Sequence, residues 1–184
     1  LEFLTDFARL NRRMHNKTYT VDGQVSIVGG RNIGDEYFDA HQALSFVDLD
    51  VMAVGPVAGE IASDFERYWV SESARPAEAI LGRVRAATVR EVIAAAEKVL
   101  QQPAAVAYID ALQSCPFVND MLMGTVGYRW SDTRLVSDDP AKGLGRQRPR
   151  GTMLERLLDT LKVPRRELQL ISPYLVPTRA GERA

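Results

Sequence analysis

The chain has 184 residues, and its 23 lysines and arginines are balanced by 24 aspartates and glutamates. A formal net charge of −1 argues against a partner that needs a broadly basic surface, nucleic acid above all. At 46% apolar and 26% charged the chain is globular in makeup and long enough for one or two domains; its one cysteine, Cys115, has no mate for a disulfide within it.

In chain order, a helix is predicted over 2–9 and a strand over 12–22. Alternate residues of an extended chain share a face, so His15 and Lys17 point the same way. Asp22-Gly23 reads as a tight hairpin turn, with the second strand returning over 24–29 through Val25, Ser26, Ile27 and Val28. Gly29 and Gly30 have no Cβ to obstruct a ligand, so the backbone there can approach an anion and deliver Asn32 beside it. His41 has no such company and is assigned to a loop. A third strand is expected over 47–54, carrying Asp48 and Asp50 on one face.

After a Gly55-Pro56 turn a helix is predicted over 57–72, where Asp64, Phe65, Tyr68 and Trp69 fall at a spacing typical of core aromatics. From 77 to 101 apolar positions recur every three or four residues, as one long or two short amphipathic helices. The polar face mixes both charge signs, so this stripe is expected to pack on the parent domain rather than on a membrane. A helix over 104–113 follows, and Cys115-Pro116-Phe117 reads as a helix end. A strand is expected over 126–137. Thr152-Met153-Leu154-Glu155 has the form of a capping box and opens a helix over 152–162, before a last strand over 168–172. The fold class is therefore α/β, a mixed sheet flanked by helices, with His15 and Lys17 at one sheet edge.

The residues around the hairpin suggest phosphodiester chemistry. A neutral imidazole, with an ordinary pKa of about 6.5, can attack phosphorus and split one displacement into two through a phosphohistidine. His15 is the expected nucleophile. Negative charge then spreads over the non-bridging oxygens, where Lys17 and Asn32 offer an ammonium and an amide donor. The second nitrogen of such an imidazole needs a carboxylate or carbonyl to fix its tautomer. Asp48 is the candidate and Asp50 its competitor, whereas Asp22 at the turn is read as bonding backbone N–H groups. No metal and no cofactor are expected: there are only two histidines and one cysteine, and Lys17 would repel a cation beside His15.

His15, Lys17, Asp22, Gly29, Gly30 and Asn32 fill every position of HxKxxxxD followed by GGxN, which resembles the HKD motif of the phospholipase D superfamily. The stretch from Leu10 to Tyr37 looks closer still to the bacterial cardiolipin synthases, the C-type branch nearest. Phe46 to Val51, Asp138 to Gly143 and Ile171 to Thr178 are similar to that family too. The resemblance implies that His15, Lys17, Asn32, Asp22 and Asp48 are catalytic and that Gly29 and Gly30 bind substrate. It implies a phosphatidyltransferase that passes a phosphatidyl group from a phosphatidylglycerol-like lipid to a second lipid's hydroxyl. Such an enzyme makes peripheral contact with the cytoplasmic side of the bacterial cytoplasmic membrane.

The alternatives are a phospholipase D-type phosphodiesterase acting on phospholipid or nucleic acid, and a non-catalytic interaction module. Superfamily members usually carry two HKD motifs, and this chain has one. The expected organisation is an internal fragment: residues 1–75 as the catalytic part of a first repeat, 76–125 as a helical connector, and 126–184 as the end strands of the first repeat and the beginning of a second. The second HKD half would come from the same full-length chain or from a homodimer mate. Lys142, Arg146, Arg148 and Arg150 form a basic loop that is either solvated or set against anionic headgroups.

Overall fold

The computed structural model describes residues 15–38, 44–82, 85–146, 152–162 and 164–171. The predicted helix over 2–9, the start of the first predicted strand at 12–14, His41, Arg148, Arg150 and Ser172 lie outside them.

Threonine, tyrosine and valine suit a pleated, half-buried backbone, and Thr18–Val21 and Val25–Val28 form β1 and β2. Asp22 and Gly23 join them with φ of 51° and 65°, and the Gln24 N–H closes the turn on the Val21 carbonyl at 3.0 Å. That left-handed pair is one that Asp tolerates and Gly adopts freely. β1 and β2 pair antiparallel, with Thr18 opposite Val28 and Val21 opposite Val25. β3, Val51–Val54, pairs antiparallel on the other side of β2, with Val25 opposite Val54. The order β1-β2-β3 puts β1 at an edge, and His15 and Lys17 lie immediately before it.

Gly55, at φ 79°, and Pro56, at the first helical position, turn the chain from β3 into α1, Pro56–Trp69. α1 packs on all three strands. It buries Ala58 and Ile61, one helical turn apart and 0% and 2% exposed, against a sheet whose central Ser26 is also fully covered. The Ser26 hydroxyl shares a 2.9 Å hydrogen bond with that of Thr20, so no buried polar group goes unsatisfied there.

Four helices follow: α2 (Ala77–Leu81), α3 (Ala86–Leu100), α4 (Pro103–Gln113) and α5 (Pro116–Met123). The periodic stretch over 77–101 is thus two helices, parted after Gly82 at φ 68°. α3 packs on α4 and α4 on α5, but none of these helices buries a residue. Val92, at 64% exposed, typifies the α3 stripe, so among the described residues the expected packing of that stripe on the parent domain is not made. Cys115 is a free thiol that follows Ser114, the C-cap of α4, and is itself the N-cap of α5, a helix absent from the sequence-based expectation.

The α/β class holds, but the sheet differs from the mixed one expected. Among the described residues it has three strands, and both pairings are antiparallel. Residues 126–137 and 168–171 form no strand. Val126 to Thr133 share a cleft of about 780 Å³ with β3, and Trp130 approaches Gly55, so this segment runs beside the sheet without joining its ladder. A strand exists only by pairing, and the cleft keeps the two backbones apart. A short 3₁₀ turn at Pro140–Lys142 leads on to α6, Met153–Leu161. Its capping box is complete: Glu155 N–H donates to Thr152 Oγ1 at 3.2 Å, and Thr152 N–H to Glu155 Oε2 at 3.3 Å.

Candidate active site

His15 and Lys17 border one cleft of about 350 Å³, together with Gly29 from the end of β2. His15 is exposed and Lys17 half-buried, so both are open to a ligand. The Lys17 ammonium folds back to donate to the His15 carbonyl at 3.1 Å. Lys17 and Gly29 also line a second, adjoining cleft of about 800 Å³, walled by Tyr19, Ile27, Phe38, Phe65 and Tyr68. The two clefts therefore meet at a cation. One is small and bordered by charged side chains, the other larger and mostly apolar.

The far wall of the His15 cleft comes from distant sequence: Asp64 on α1, and Leu135 to Asp138 with Lys142. A polar network fixes this wall. Asp64 Oδ1 accepts from the Ser137 hydroxyl at 2.7 Å and pairs with the Arg67 guanidinium, which also donates to Ser137 Oγ at 3.0 Å. The Asp64 hydrogen bond raises the Arg67 guanidinium above its ordinary value, against the opposing effect of burial. The Tyr68 hydroxyl donates to the Asp138 carbonyl at 2.7 Å and accepts from Asn16 Nδ2 at 3.2 Å, which ties the His15–Lys17 segment to this wall. Burial of the phenol pushes Tyr68 up, and the Asn16 donor only partly offsets that.

Asp138 is the hub, at 6% exposed. Its Oδ1 accepts from Met153 N–H at the start of α6 at 2.9 Å, and its Oδ2 pairs with the Lys142 ammonium. Asp139 caps the intervening 3₁₀ turn by accepting from Ala141 N–H at 2.8 Å.

The other sequence-assigned residues lie elsewhere. Asn32 lines the apolar cleft rather than the His15 cleft, and its Nδ2 donates to the Tyr37 hydroxyl at 2.9 Å. Asp22 is at the hairpin turn, at the far end of β1 from Lys17. Asp48 lies over Gly30, where a Cβ would strike its carboxylate, and its Oδ1 accepts from Leu49 N–H at 2.8 Å. Asp50 lies against Gly29 in the same way and pairs with Arg31, whose guanidinium also donates to the Tyr37 and Asp48 carbonyls. Gly29 and Gly30 thus admit two carboxylates as close neighbours. Among the described residues Asp48 makes no hydrogen bond with His15, and the carboxylates bordering the His15 cleft are Asp64 and Asp138.

The sequence reading passed over this second wall. One signal was available: Asp138 and Lys142, opposite charges four apart, fall in a segment already noted for its family likeness. Of the predicted basic loop, Lys142 is paired with Asp138 and Arg146 with Glu72 at 2.6 Å. The predicted aromatic core of α1 is also open: Trp69 is 68% exposed and stacks on Phe65, their ring centroids 5.9 Å apart. Among the described residues no group of three or more His, Cys, Asp or Glu is placed to hold a metal ion.

An HKD motif on an α/β frame, its His and Lys bordering one cleft, defines a protein of the phospholipase D class. Comparison with known proteins narrows the class: the chain is 45% identical over 181 residues to cardiolipin synthase C of Escherichia coli, a match covering 98% of this chain and 38% of that relative. It is 38% identical over 71 residues to cardiolipin synthase A of Pseudomonas putida, and 34% identical over 68 residues to cardiolipin synthase 1 of Staphylococcus epidermidis. Each of these shorter matches covers 37% of this chain and, respectively, 15% and 14% of the relative. The chain is a relative of the bacterial cardiolipin synthases, within the phospholipase D superfamily, and spans well under half the length of these relatives. No family model matches it, and no solved structure does.

Proposed function

We propose that the chain carries one half of a phospholipid phosphatidyltransferase site of the cardiolipin synthase kind. The observation that carries this reading is the placement of His15, Lys17 and Gly29 around one cleft that opens onto a larger apolar one. A phosphodiester with an acyl body has this same division, a charged centre joined to apolar bulk. Its phosphate would lie at Lys17, with the apolar part against Tyr19, Ile27, Phe38 and Phe65.

In the first step a ring nitrogen of His15 attacks phosphorus. A P–N bond forms, the P–O bond to the leaving alcohol breaks, and the departing oxygen takes a proton from a group on the opposite side. A second HKD half, from the same full-length protein or from a second copy, is the proposed source of that group. In the second step the hydroxyl of an acceptor lipid attacks and gives its proton back to that same group; a new P–O bond forms as the P–N bond breaks, releasing His15. Lys17 meets the charge on the non-bridging oxygens, and Asn32 serves the substrate in the adjoining cleft.

Asp64 is the carboxylate that suits the second imidazole nitrogen, because it borders the cleft and its bonds to Arg67 and Ser137 fall on Oδ1. Asp22 and Asp48 then act on the backbone, the first at the turn and the second beside Gly30. The substrates are phosphatidylglycerol-like lipids, reached by peripheral contact with the cytoplasmic face of a bacterial membrane. No described helix is long and apolar enough to cross one.

The test offers labelled phosphatidylglycerol vesicles and plasmid DNA side by side to the full-length protein and to its His15→Ala variant. A lipid product from the unaltered protein, none from the variant, and acid-labile phosphate on quenched enzyme are the expected results. Product from DNA alone, or full lipid activity in the variant, overturns the reading.

A further inference from the structure

We propose that Lys142 is a second phosphate-binding cation of the His15 cleft, and hence a catalytic residue outside the HKD motif. The inference rests on the phosphotransfer reading of His15 and adds to it the group on the opposite wall.

Lys142 lines the same cleft as His15, Lys17 and Gly29, yet it arrives from a segment more than a hundred residues away in sequence. Its position is held from both ends. The backbone is fixed by the Pro140–Lys142 turn, which Asp139 caps, and the ammonium is fixed by its pairing with Asp138 Oδ2. Asp138 in turn has little freedom to move. It is 6% exposed, its other carboxylate oxygen accepts from the start of α6, and its carbonyl accepts from Tyr68 and Arg67. A flexible four-carbon stem is thereby ordered before any ligand arrives, which removes a cost that a free lysine would meet on binding.

An ammonium has three donors, and among the described residues Lys142 gives one of them, to Asp138. The remaining two are on the side chain of a residue that is still 41% open to solvent at the cleft, where an incoming anion is met. The phosphoryl group calls for such a donor. It enters with one negative charge and gathers a second over its oxygens as the P–N bond to His15 forms, before the P–O bond breaks. Of the donors that the HKD pattern supplies, Lys17 borders the His15 cleft, while Asn32 lines the next one and is engaged with Tyr37. Lys142 supplies a second contact from within this chain. It makes and breaks no covalent bond, and donates hydrogen bonds that strengthen as charge develops.

A purely structural role, in which Lys142 does no more than neutralise Asp138, predicts something different from a role in binding phosphate. Lys142→Gln separates the two, since an amide still donates to Asp138 but carries no charge. The experiment uses the full-length protein with phosphatidylglycerol vesicles as substrate and inorganic phosphate as competing anion, and compares the unaltered protein, Lys142→Gln, Lys142→Ala and His15→Ala. The expected result is that kcat falls about 100-fold in both Lys142 variants, the size typical of one lost oxyanion donor. The inhibition constant for phosphate should rise about tenfold, and added ethylamine should restore part of the activity of Lys142→Ala. If Lys142→Ala unfolds, the phosphate inhibition constant of Lys142→Gln decides. A value equal to that of the unaltered protein, or a kcat within about threefold of it, overturns the proposal. Product formation that is lost in His15→Ala but kept in both Lys142 variants removes this inference alone. Product formation that survives in His15→Ala removes the reading beneath it.

Discussion

Two parts of the molecule are built from similar sequence and reach different ends. The sheet, α1 and the 135–142 wall contain every buried residue among those described: Ser26, Ala58, Ile61, Ser137, Asp138 and Pro140. The helices α2 to α5 bury none, although α3 is as regular in its apolar spacing as α1. What separates α1 from α3 is a partner, because among the described residues the stripe of α1 meets three strands while α3 packs on α4. Periodicity states that a helix has a face to cover; it does not state what covers it. The site half is also held by polar contacts more than by apolar bulk. Asn16, Asp64, Arg67, Tyr68, Ser137 and Asp138 interlock through bonds that join residues 52 to 73 apart in sequence, and the walls of the His15 cleft are the product.

The widest gap between the two parts should appear in activity. His15→Ala is expected to lower phosphatidyl transfer by at least about 10⁴-fold, as removal of a nucleophile does. Val92→Ala on α3 should leave the rate within about twofold, and a large loss there would mean that the helices take a direct part in the chemistry. Next comes the choice between carboxylates. Asp64→Asn, measured as kcat with lipid vesicles, should cost roughly 10² to 10⁴-fold if Asp64 fixes the His15 tautomer. Asp48→Asn should cost less than about tenfold. The reverse order would restore the assignment suggested by the sequence.

Stability sharpens the same contrast. Ile61→Ala opens space beneath α1 in a fully packed position and should destabilise by about 2–4 kcal/mol in urea denaturation. Ile93→Ala, on the exposed stripe of α3, should cost under about 0.5 kcal/mol. Equal losses at the two positions would show that α3 is covered in solution by a surface not among the described residues.

The features legible in sequence are those whose causes are local. Asp22-Gly23 announces a turn because its two residues tolerate the left-handed region, and Thr152 with Glu155 announces a helix start because both partners lie within one turn. The HKD spacing is local as well, so the joint placement of His15 and Lys17 before β1 follows from a few residues. Asp48 illustrates the limit. Its place at the opening of the predicted strand next to the hairpin suggests a His15 contact, but Gly30 lets its carboxylate lie over the backbone, and the neighbouring Arg31 draws in Asp50. Asp64, Asp138 and Lys142 reach the cleft through tertiary contacts that no periodicity encodes. The segment over 126–137 has strand composition but no ladder partner among the described residues, and composition alone does not create one. α5 is hard to see in sequence for another reason: Pro116 looks like a helix end, although proline is at home in the first turn of a helix and Gly124 marks where this one stops.

The smallest expected effect concerns Tyr68, the residue that joins Asn16 to the second wall. Burial raises its phenol above the ordinary value of about 10. A raised pKa in the folded state means that the unfolded chain ionises first as the solution turns alkaline. The stability that the neutral phenol contributes is therefore fully present below about pH 10 and is lost as pH climbs through the higher folded value. Tyr68→Phe has no proton to lose at this position. The stability advantage of the unaltered protein over this variant should be constant between pH 7 and 9 and shrink by pH 11, read from urea midpoints of the two proteins measured in parallel. Comparing them cancels the titration of the lysines and of the other tyrosines. A difference that stays flat or widens at pH 11 would mean that the hydroxyl is not held neutral against the Asp138 carbonyl, and that the tie between the His15 segment and the opposite wall is made by other contacts.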